Sequence, residues 1–534
     1  MSHFGKYVHK SVHSLSLTLQ PKIGIIYMNR FRRLFFVVLL FVSASSVHAQ
    51  YMDSLRLARR DAAVGLKTTT TADVSSSRNG RTKHPWRAAL QTVIINAGVH
   101  SFDRFVLNED FAQVRPKDIW HNISHPMVWD NDQFSTNLFA HPYHGGLYYS
   151  TARSNGLNLY ESLPYSIAGS LMWEYMGEKE PPAINDLMAT SMGGVALGEV
   201  SYRLSNLVLN DATRGFSRFF RELIGTVINP MRGLNRLVTG DAWRVRHDNY
   251  RYHDYDALPV RLTATQGHRY IAGGGMHGGT LQNGKHSGFV NLLLDYGDAY
   301  DNDDSHPYDW FTGDITLSNS APHVSDLHVL ARIWGTEMDA GPRARGEFGF
   351  FHHFNYFDSA PFERGSTETV PYRISEAASV GPGFMVSLDP RGKLQRLENQ
   401  VFVSAMLLGG AYTDYYRFID RDYNMGSGFS VKYRFITELG AFHMRLLSDY
   451  YRLYTVKGYE TKDYENLDPL YLNSQGDRST SSLLVLQPIV EVQLWHSLYA
   501  HSSMRYVMRH TDYRYHSDVR THAFVFYAGL SYKL

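Results

Sequence analysis

The sequence predicts a transmembrane antiparallel β-barrel of about twelve strands, preceded by a mostly helical domain. The strand at residues 523–534 is the clearest evidence, because its two faces differ. One face carries Phe524, Phe526, Ala528, Leu530, Tyr532 and Leu534, and the other carries Val525, Tyr527, Gly529, Ser531 and Lys533. A closed barrel supplies the pairing that such a strand needs. In addition, short connections alternate with longer ones, as periplasmic turns and external loops do.

The composition is compatible with a barrel and excludes several other classes. Mean hydropathy is -0.31, whereas a bundle of spanning helices would make it positive. Lys and Arg number 53 against 51 Asp and Glu, so we expect no nucleic-acid partner. The chain has no cysteine, which excludes disulfides, thiolate metal sites and a cysteine nucleophile. We predict no cofactor, and outer-membrane lipid as a partner.

An export signal is predicted over residues 28–49. A segment with three arginines precedes an apolar run that is too short to span a membrane, and Ala49 is a small residue suited to cleavage. Residues 1–27 would then be an upstream extension, with Met28 as the true start or a long leader as the alternatives. Residues 50–84 are polar and rich in Ser and Thr, which is typical of a flexible linker. We therefore expect an outer-membrane location.

Residues 85–258 are predicted to form a helical domain that plugs the barrel lumen or caps it from the periplasm. Helical periodicity covers about 86–105, 166–177, 184–207 and 217–237, whereas 106–165 has an irregular pattern. The third helical segment contains Gly193, Gly194, Ala196 and Gly198, which allow close approach of another element. Because it also carries charged residues, this segment should pack on protein.

Residues 259–534 are predicted to form the barrel, because the periodicity changes there from about 3.6 to 2. The alternation is clear in the last seven strands and muddled between Gly273 and Pro361, so ten or fourteen strands are alternatives. We expect the barrel-assembly machinery to recognise the strand from Phe524 to Leu534. Inward-facing basic residues would give part of the lumen a cationic lining that attracts anions. These residues are Lys432, Arg434, His443, Arg445, Arg505 and Arg509.

The most distinctive segment is residues 129–156, WDNDQFSTNLFAHPYHGGLYYSTARSNG. Together with residues 173–175, Asp186 and residues 193–199, it resembles a bacterial family of secreted proteins catalogued as domain of unknown function 3943. The resemblance covers about residues 86–209. It implies an envelope protein with no assigned activity.

The same region supplies candidate catalytic residues. Arg153 can donate two hydrogen bonds to a carboxylate such as Glu174 or Asp186, which would either lock helices together or form part of a substrate site. The candidates are His141, His144, Arg153, Glu174, Asp186 and Glu199. They motivate the alternative function of an outer-membrane hydrolase that acts on lipid or glycan. The preferred interpretation is a non-enzymatic barrel for solute passage or envelope organisation.

Histidine spacing supplies weaker metal candidates. His121 and His125 have the separation that places two imidazoles on one helical face, and His141 and His144 add two more. The chain contains 26 histidines and lacks a His-Glu-x-x-His motif. A hydrogen-bonded network is therefore favoured over a metal site.

Overall fold

The computed structural model describes residues 82–129, 132–245, 258–274, 284–300, 306–359, 362–364, 367–415, 422–456, 458 and 476–534. The predicted upstream extension, the signal peptide and residues 50–81 of the linker lie outside the described residues.

Twelve antiparallel strands close into a barrel, which confirms the predicted fold class. The first strand pairs with the second and with the last, since Thr263 lies opposite both Leu293 and Lys533. The barrel strands are β1 (Val260–Gly274), β2 (Lys285–Tyr296), β3 (Phe311–Ser318), β4 (Val324–Asp339), β5 (Ala344–Asp358), β8 (Arg373–Leu388), β9 (Leu394–Tyr412), β10 (Tyr423–Leu439), β11 (Phe442–Thr455), β12 (Ser479–Trp495), β13 (Leu498–Tyr513) and β14 (Val519–Lys533). The short strands β6 (Phe362–Arg364) and β7 (Thr367–Thr369) form a separate hairpin.

The two rims of the barrel differ in their connections. The short-turn rim carries residues 340–343, 389–393, 440–441 and 496–497, and β1 begins there. The opposite rim carries longer connections such as residues 413–422 and 456–478. The connections 319–323 and 514–518 are short although they lie at the opposite rim, and residues 297–310 form a long segment at the short-turn rim. It is held by the helical domain, as described below.

The helical domain contains eight α-helices among the described residues. They are α1 (Pro85–Phe102), α2 (Pro116–Ser124), α3 (His141–Ser154), α4 (Leu159–Met176), α5 (Ile184–Met188), α6 (Gly194–Val208), α7 (Gly215–Ile228) and α8 (Pro230–Thr239). Wider π-helical turns at Asp103–Leu107, Thr136–Ala140 and Ala189–Gly193 adjoin α1, α3 and α6. None of the described helices has both the length and the apolar character that a membrane crossing requires.

Two helical predictions need correction, and local chemistry explains both. The stretch expected to be irregular contains α2 and α3, each of which has a proline in its first turn, where the missing N–H costs nothing. The single helix expected over 217–237 is broken into α7 and α8. Pro230 cannot continue α7, and the side chain of Asn229 caps α8 by accepting a hydrogen bond from the Arg232 N–H at 2.9 Å.

Helices α3 and α6 cross with their backbones in contact, as the small residues of α6 predicted. A Cβ atom on Gly145 of α3 would lie 1.8 Å from the carbonyl oxygen of Thr190. A Cβ atom on Gly194 of α6 would lie 2.5 Å from the carbonyl carbon of Gly145. Only glycine fits at these positions, so the crossing depends on both residues.

The helical domain packs on the outer wall of the barrel. Along β4 the buried Asp326 pairs across the lumen with Arg505 of β13 at 2.6 Å, so the alternating residues Leu327 and Val329 face outward. These outward residues share a hydrophobic core with helical residues such as Ala196. The predicted plug or periplasmic cap is therefore wrong for the described helices.

Two close contacts fix this arrangement. Gly313 of β3 faces outward, and a Cβ atom there would lie 4.0 Å from the Cγ1 atom of Val200 in α6. Near the opposite rim, a Cβ atom on Gly410 of β9 would lie 2.4 Å from the Cδ1 atom of Leu138. The helices thus follow the outer wall from β3 to β9.

Candidate functional site

Glu199 is the centre of the polar network in the helical domain. Its carboxylate accepts hydrogen bonds from Arg153 Nε at 2.7 Å, Arg153 Nη2 at 3.0 Å, Arg203 Nε at 2.7 Å and the Tyr149 hydroxyl at 2.8 Å. All four side chains are buried. The sequence suggested Glu174 or Asp186 as the partner of Arg153, and this was wrong. Arg153 makes its two-pronged contact with Glu199, which joins α3 to α6.

The same network holds the helical domain on the barrel. Arg203 Nη1 donates to Asp309 Oδ1 at 3.0 Å, and its Nη2 donates to the carbonyl oxygen of Pro307 at 3.0 Å. Both acceptors belong to the long connection between β2 and β3. This contact explains why a long segment lies at the short-turn rim.

The pKa of the Glu199 carboxyl favours a structural role over a catalytic one. Burial raises the pKa of the Glu199 carboxyl, but Arg153 and Arg203 outweigh that effect and lower it to about 2. A general acid or base at neutral pH needs a pKa close to the working pH. Glu199 is therefore a permanently charged structural group.

His141 lies between Asp186 and Thr190, as the histidine of a hydrolytic triad lies between its acid and its nucleophile, but the three residues do not have the geometry of a triad. His141 Nε2 lies 3.7 Å from Asp186 Oδ1, which is too long for a hydrogen bond, and His141 Nδ1 lies 3.3 Å from the Thr190 hydroxyl. Thr190 is only 2% exposed, so a substrate has no direct access to its hydroxyl. Asp186 also accepts a hydrogen bond from the side chain of Asn185 at 2.7 Å.

Glu174 and His144 lie apart from the Glu199 network. Glu174 Oε2 accepts a hydrogen bond from the backbone N–H of Ala183 at 2.7 Å, which ties the end of α4 to the start of α5. The His144 ring packs against the rings of Tyr148 at 4.5 Å and Trp173 at 5.1 Å. Burial, with a smaller contribution from His141, lowers the pKa of His144 to about 3, so its imidazole is neutral. Among the contacts given above for the described residues, none brings the six candidate catalytic residues together into one site.

The four candidate metal-binding histidines lie on two different helices, α2 and α3. His121 and His125 stack at 3.7 Å on the exposed side of α2, and His125 Nδ1 bonds to the carbonyl oxygen of His121. Among the described residues, neither these histidines nor His141 and His144 belong to a cluster of three groups that could share an ion.

Five of the six basic residues predicted to face the lumen are paired with carboxylates. Lys432 Nζ lies 2.6 Å from Glu376 Oε2, and Arg505 Nη1 lies 2.6 Å from Asp326 Oδ1. The remaining contacts join Arg434 to Asp449, Arg509 to Asp414 at 2.7 Å, and Arg445 to Asp295 at 3.6 Å. His443 accepts a hydrogen bond from Lys533 at 2.6 Å. The carboxylates thus compensate five of the six basic groups that the sequence suggested as a cationic lining.

Side chains from opposite sides of the barrel meet in the lumen. Arg505 of β13 reaches Asp326 of β4, and its guanidinium lies 5.3 Å from the ring centre of Phe357 on β5. The Phe357 ring in turn lies 6.2 Å from that of Tyr451 on β11. One buried hydrophobic cluster collects residues from β1, β2, β5, β8, β9 and β11–β14. Packed side chains thus fill the lumen at the level of Arg505, Phe357 and Tyr451.

The acidic partners in the lumen were missed from the sequence. Asp326, Glu376 and Asp449 each lie on an inward-facing strand position, but the partner of Asp326 is far away in the chain. The alternation of Asp326 and His328 with Leu327 and Val329 was the available signal.

Residues 126–231 match the family model described as Domain of unknown function (DUF3943), which confirms the predicted resemblance. A search of curated proteins finds no match.

Several outer-membrane barrels are similar to about half of the chain. The NanC porin is 10% identical, and the match covers 50% of this chain and 100% of the porin with a TM-score of 0.23. The outer membrane protein OmpT of Vibrio cholerae is 6% identical over 52% of this chain and 98% of its own, with a TM-score of 0.19. The outer membrane protease OmpT of Escherichia coli is 8% identical over 52% and 96%, with a TM-score of 0.15. Similarities this low carry no argument about function.

Proposed function

We propose that this chain is a non-conducting outer-membrane barrel that serves envelope organisation, with the barrel wall anchoring the helical domain at the membrane. The observation that carries the proposal is the packed lumen, in which the Arg505–Asp326 pair joins strands on opposite sides. A pore for solutes would need a water-filled passage in its place.

The outer surface of the barrel supports the membrane placement. Exposed apolar residues alternate with buried inward residues on the parts of β9, β10 and β13 that the helices leave uncovered. They include Val401, Val403, Phe429, Val431, Met504, Met508 and Leu530. In this proposal the predicted signal over residues 28–49 exports the chain, and the barrel-assembly machinery recognises Phe524 to Leu534.

The alternative of a hydrolase receives less support. Glu199 is saturated with donors, Thr190 is buried, and the candidate residues are dispersed. Their contacts instead tie helices to one another and to the barrel.

Single-channel recording in planar bilayers tests this function. The full chain should insert without conductance steps, because side chains fill its lumen. The triple variant Phe357→Ala, Tyr451→Ala, Arg505→Ala removes the central side chains and should produce steps. A matched triple variant on the outer wall, Val403→Ala, Val431→Ala, Met508→Ala, should remain silent. Steady conductance from the unchanged chain would overturn the proposal.

A further inference from the structure

The exposed surface of the helical domain is apolar over four of its helices. On α1, α4, α7 and α8, the exposed positions include no Asp, Glu, Lys or Arg. The largest exposed side chains are Trp86, Leu90, Val93, Ile94 and Phe102 on α1, Tyr160, Ile167 and Met176 on α4, Phe216, Phe219, Phe220, Leu223 and Val227 on α7, and Leu234, Leu237 and Val238 on α8.

The interior of the same domain is polar. On α1 the buried face contains Gln91, Thr92 and Asn96, opposite the apolar exposed face. Charged groups are also buried between the helices. They include Arg153, Glu199, Arg203, Asp211, Arg218, Arg232 and Arg236. In a domain surrounded by water, charged residues cover the surface and are rarely buried. On α1, α4, α7 and α8 this distribution is reversed.

Two of the buried arginines, Arg218 and Arg236, are compensated by carboxylates within the domain. Arg236 Nη2 lies 2.6 Å from Asp211 Oδ1 and 2.7 Å from Glu222 Oε1, and Arg218 Nη2 lies 2.9 Å from Asp211 Oδ1. Buried arginines that are paired with carboxylates in this way are compatible with surroundings that offer no hydrogen bonds.

Exposed charged residues of the domain lie beside the four apolar helices and not on them. Lys83 precedes α1, Glu109 and Asp110 follow its π-helical turn, Arg214 precedes α7, and Arg244 follows α8. They therefore lie in segments that connect or flank the apolar helices. Charged residues flank apolar segments in this way at the boundary between hydrocarbon and water.

The apolar surface is continuous with a surface that already faces lipid in the proposed function. The helical domain shares a core with outward residues of β2 to β5 and β8 to β10, and the exposed wall beside it carries Val403 and Val431. Lipid acyl chains are the occupant that this continuity favours. A second copy of the chain or another protein would cover only part of a surface that extends over four helices.

We propose that the helical domain is inserted in the hydrocarbon layer beside the barrel, with the exposed faces of α1, α7 and α8 in contact with lipid acyl chains. This inference rests on the membrane placement of the barrel but not on its lack of conductance.

Nitroxide labelling tests the proposal directly, because the chain has no native cysteine. Val93→Cys, Phe219→Cys and Leu237→Cys place single labels on three exposed helix faces. Val431→Cys is the lipid-facing control on the barrel, and Lys117→Cys on the exposed side of α2 is the aqueous control. Each full-length variant is reconstituted in vesicles of phosphatidylethanolamine and phosphatidylglycerol. Electron paramagnetic resonance then compares accessibility to oxygen, which enters lipid, with accessibility to a water-soluble nickel chelate.

The three helix labels should show the high oxygen-to-nickel ratio of Val431→Cys rather than the low ratio of Lys117→Cys. Nickel accessibility at the helix labels, with Val431→Cys protected, would overturn the inference and leave the inserted barrel intact. Low accessibility to both reagents would mean that protein covers the helices, and this would also overturn it. Nickel accessibility at Val431→Cys itself would instead refute the membrane placement of the barrel.

Discussion

Replacing Glu199 with alanine should destabilise the helical domain by about 3–5 kcal/mol, because it leaves two buried arginines without their shared carboxylate. Arg153 loses both of its contacts with Glu199, and Arg203 loses its contact with Glu199 while it keeps those with the connection between β2 and β3. The loss is measurable as a shift of the denaturant midpoint for helical ellipticity in detergent micelles.

Asp110→Ala is the matched control, because it removes a carboxylate that pairs with Lys179 at the surface and is 88% exposed. An exposed pair contributes about 0–1 kcal/mol, so this variant should unfold almost like the unchanged chain. Equal stability of the Glu199 and Asp110 variants would show that the network around Glu199 does not hold the domain together.

Replacing Glu376 with alanine should destabilise the barrel by a similar amount, about 3–5 kcal/mol, because Lys432 loses its carboxylate partner in the lumen. The Glu376 carboxylate accepts hydrogen bonds from Lys432, Ser379 and Ser430, and it is completely buried. The measurement is the temperature at which the barrel loses its compact, fast-migrating form on a detergent gel.

Two further variants make this prediction specific. Glu337→Ala changes an exposed carboxylate near the end of β4 and should leave that temperature unchanged. Replacing Glu376 and Lys432 together with methionine removes both charges and should recover most of the loss, since paired removal leaves no buried charge behind. A double variant as unstable as Glu376→Ala would contradict the assignment of the loss to the unpaired lysine.

The barrel was predictable from the sequence where only one face of each strand is covered by protein. In β10, for example, Phe429 and Val431 face outward while Ser430 and Lys432 face the lumen, which gives a clear period of two. The pattern is muddled in β5 for a physical reason. The helices cover its outer face, so Phe354 and Tyr356 are buried on one side and Phe357 on the other.

The position of the helical domain was not predictable from the periodicity of its helices. Asn96, for example, donates to the carbonyl oxygen of Gly169 and accepts a hydrogen bond from Tyr148 within the domain, and neither contact shows on which side of the barrel wall the domain lies. Ion-pair partners were equally hidden, because Arg505 and Asp326 are brought together only by closure of the barrel. The close crossing at Gly194 was predictable, because a cluster of small residues within one helix can be recognised from the local sequence alone.

The central claim is that the helices lie on the outer wall of the barrel, and a pair of cross-links tests it most directly. In the cysteine-free chain, Val200→Cys is combined either with Gly313→Cys, which faces outward, or with the adjacent Thr312→Cys, which faces the lumen. The structure predicts that oxidation of the inserted protein links residues 200 and 313 and does not link 200 and 312. A cross-link between residues 200 and 312 in place of 200 and 313 would put α6 inside the barrel and contradict the claim.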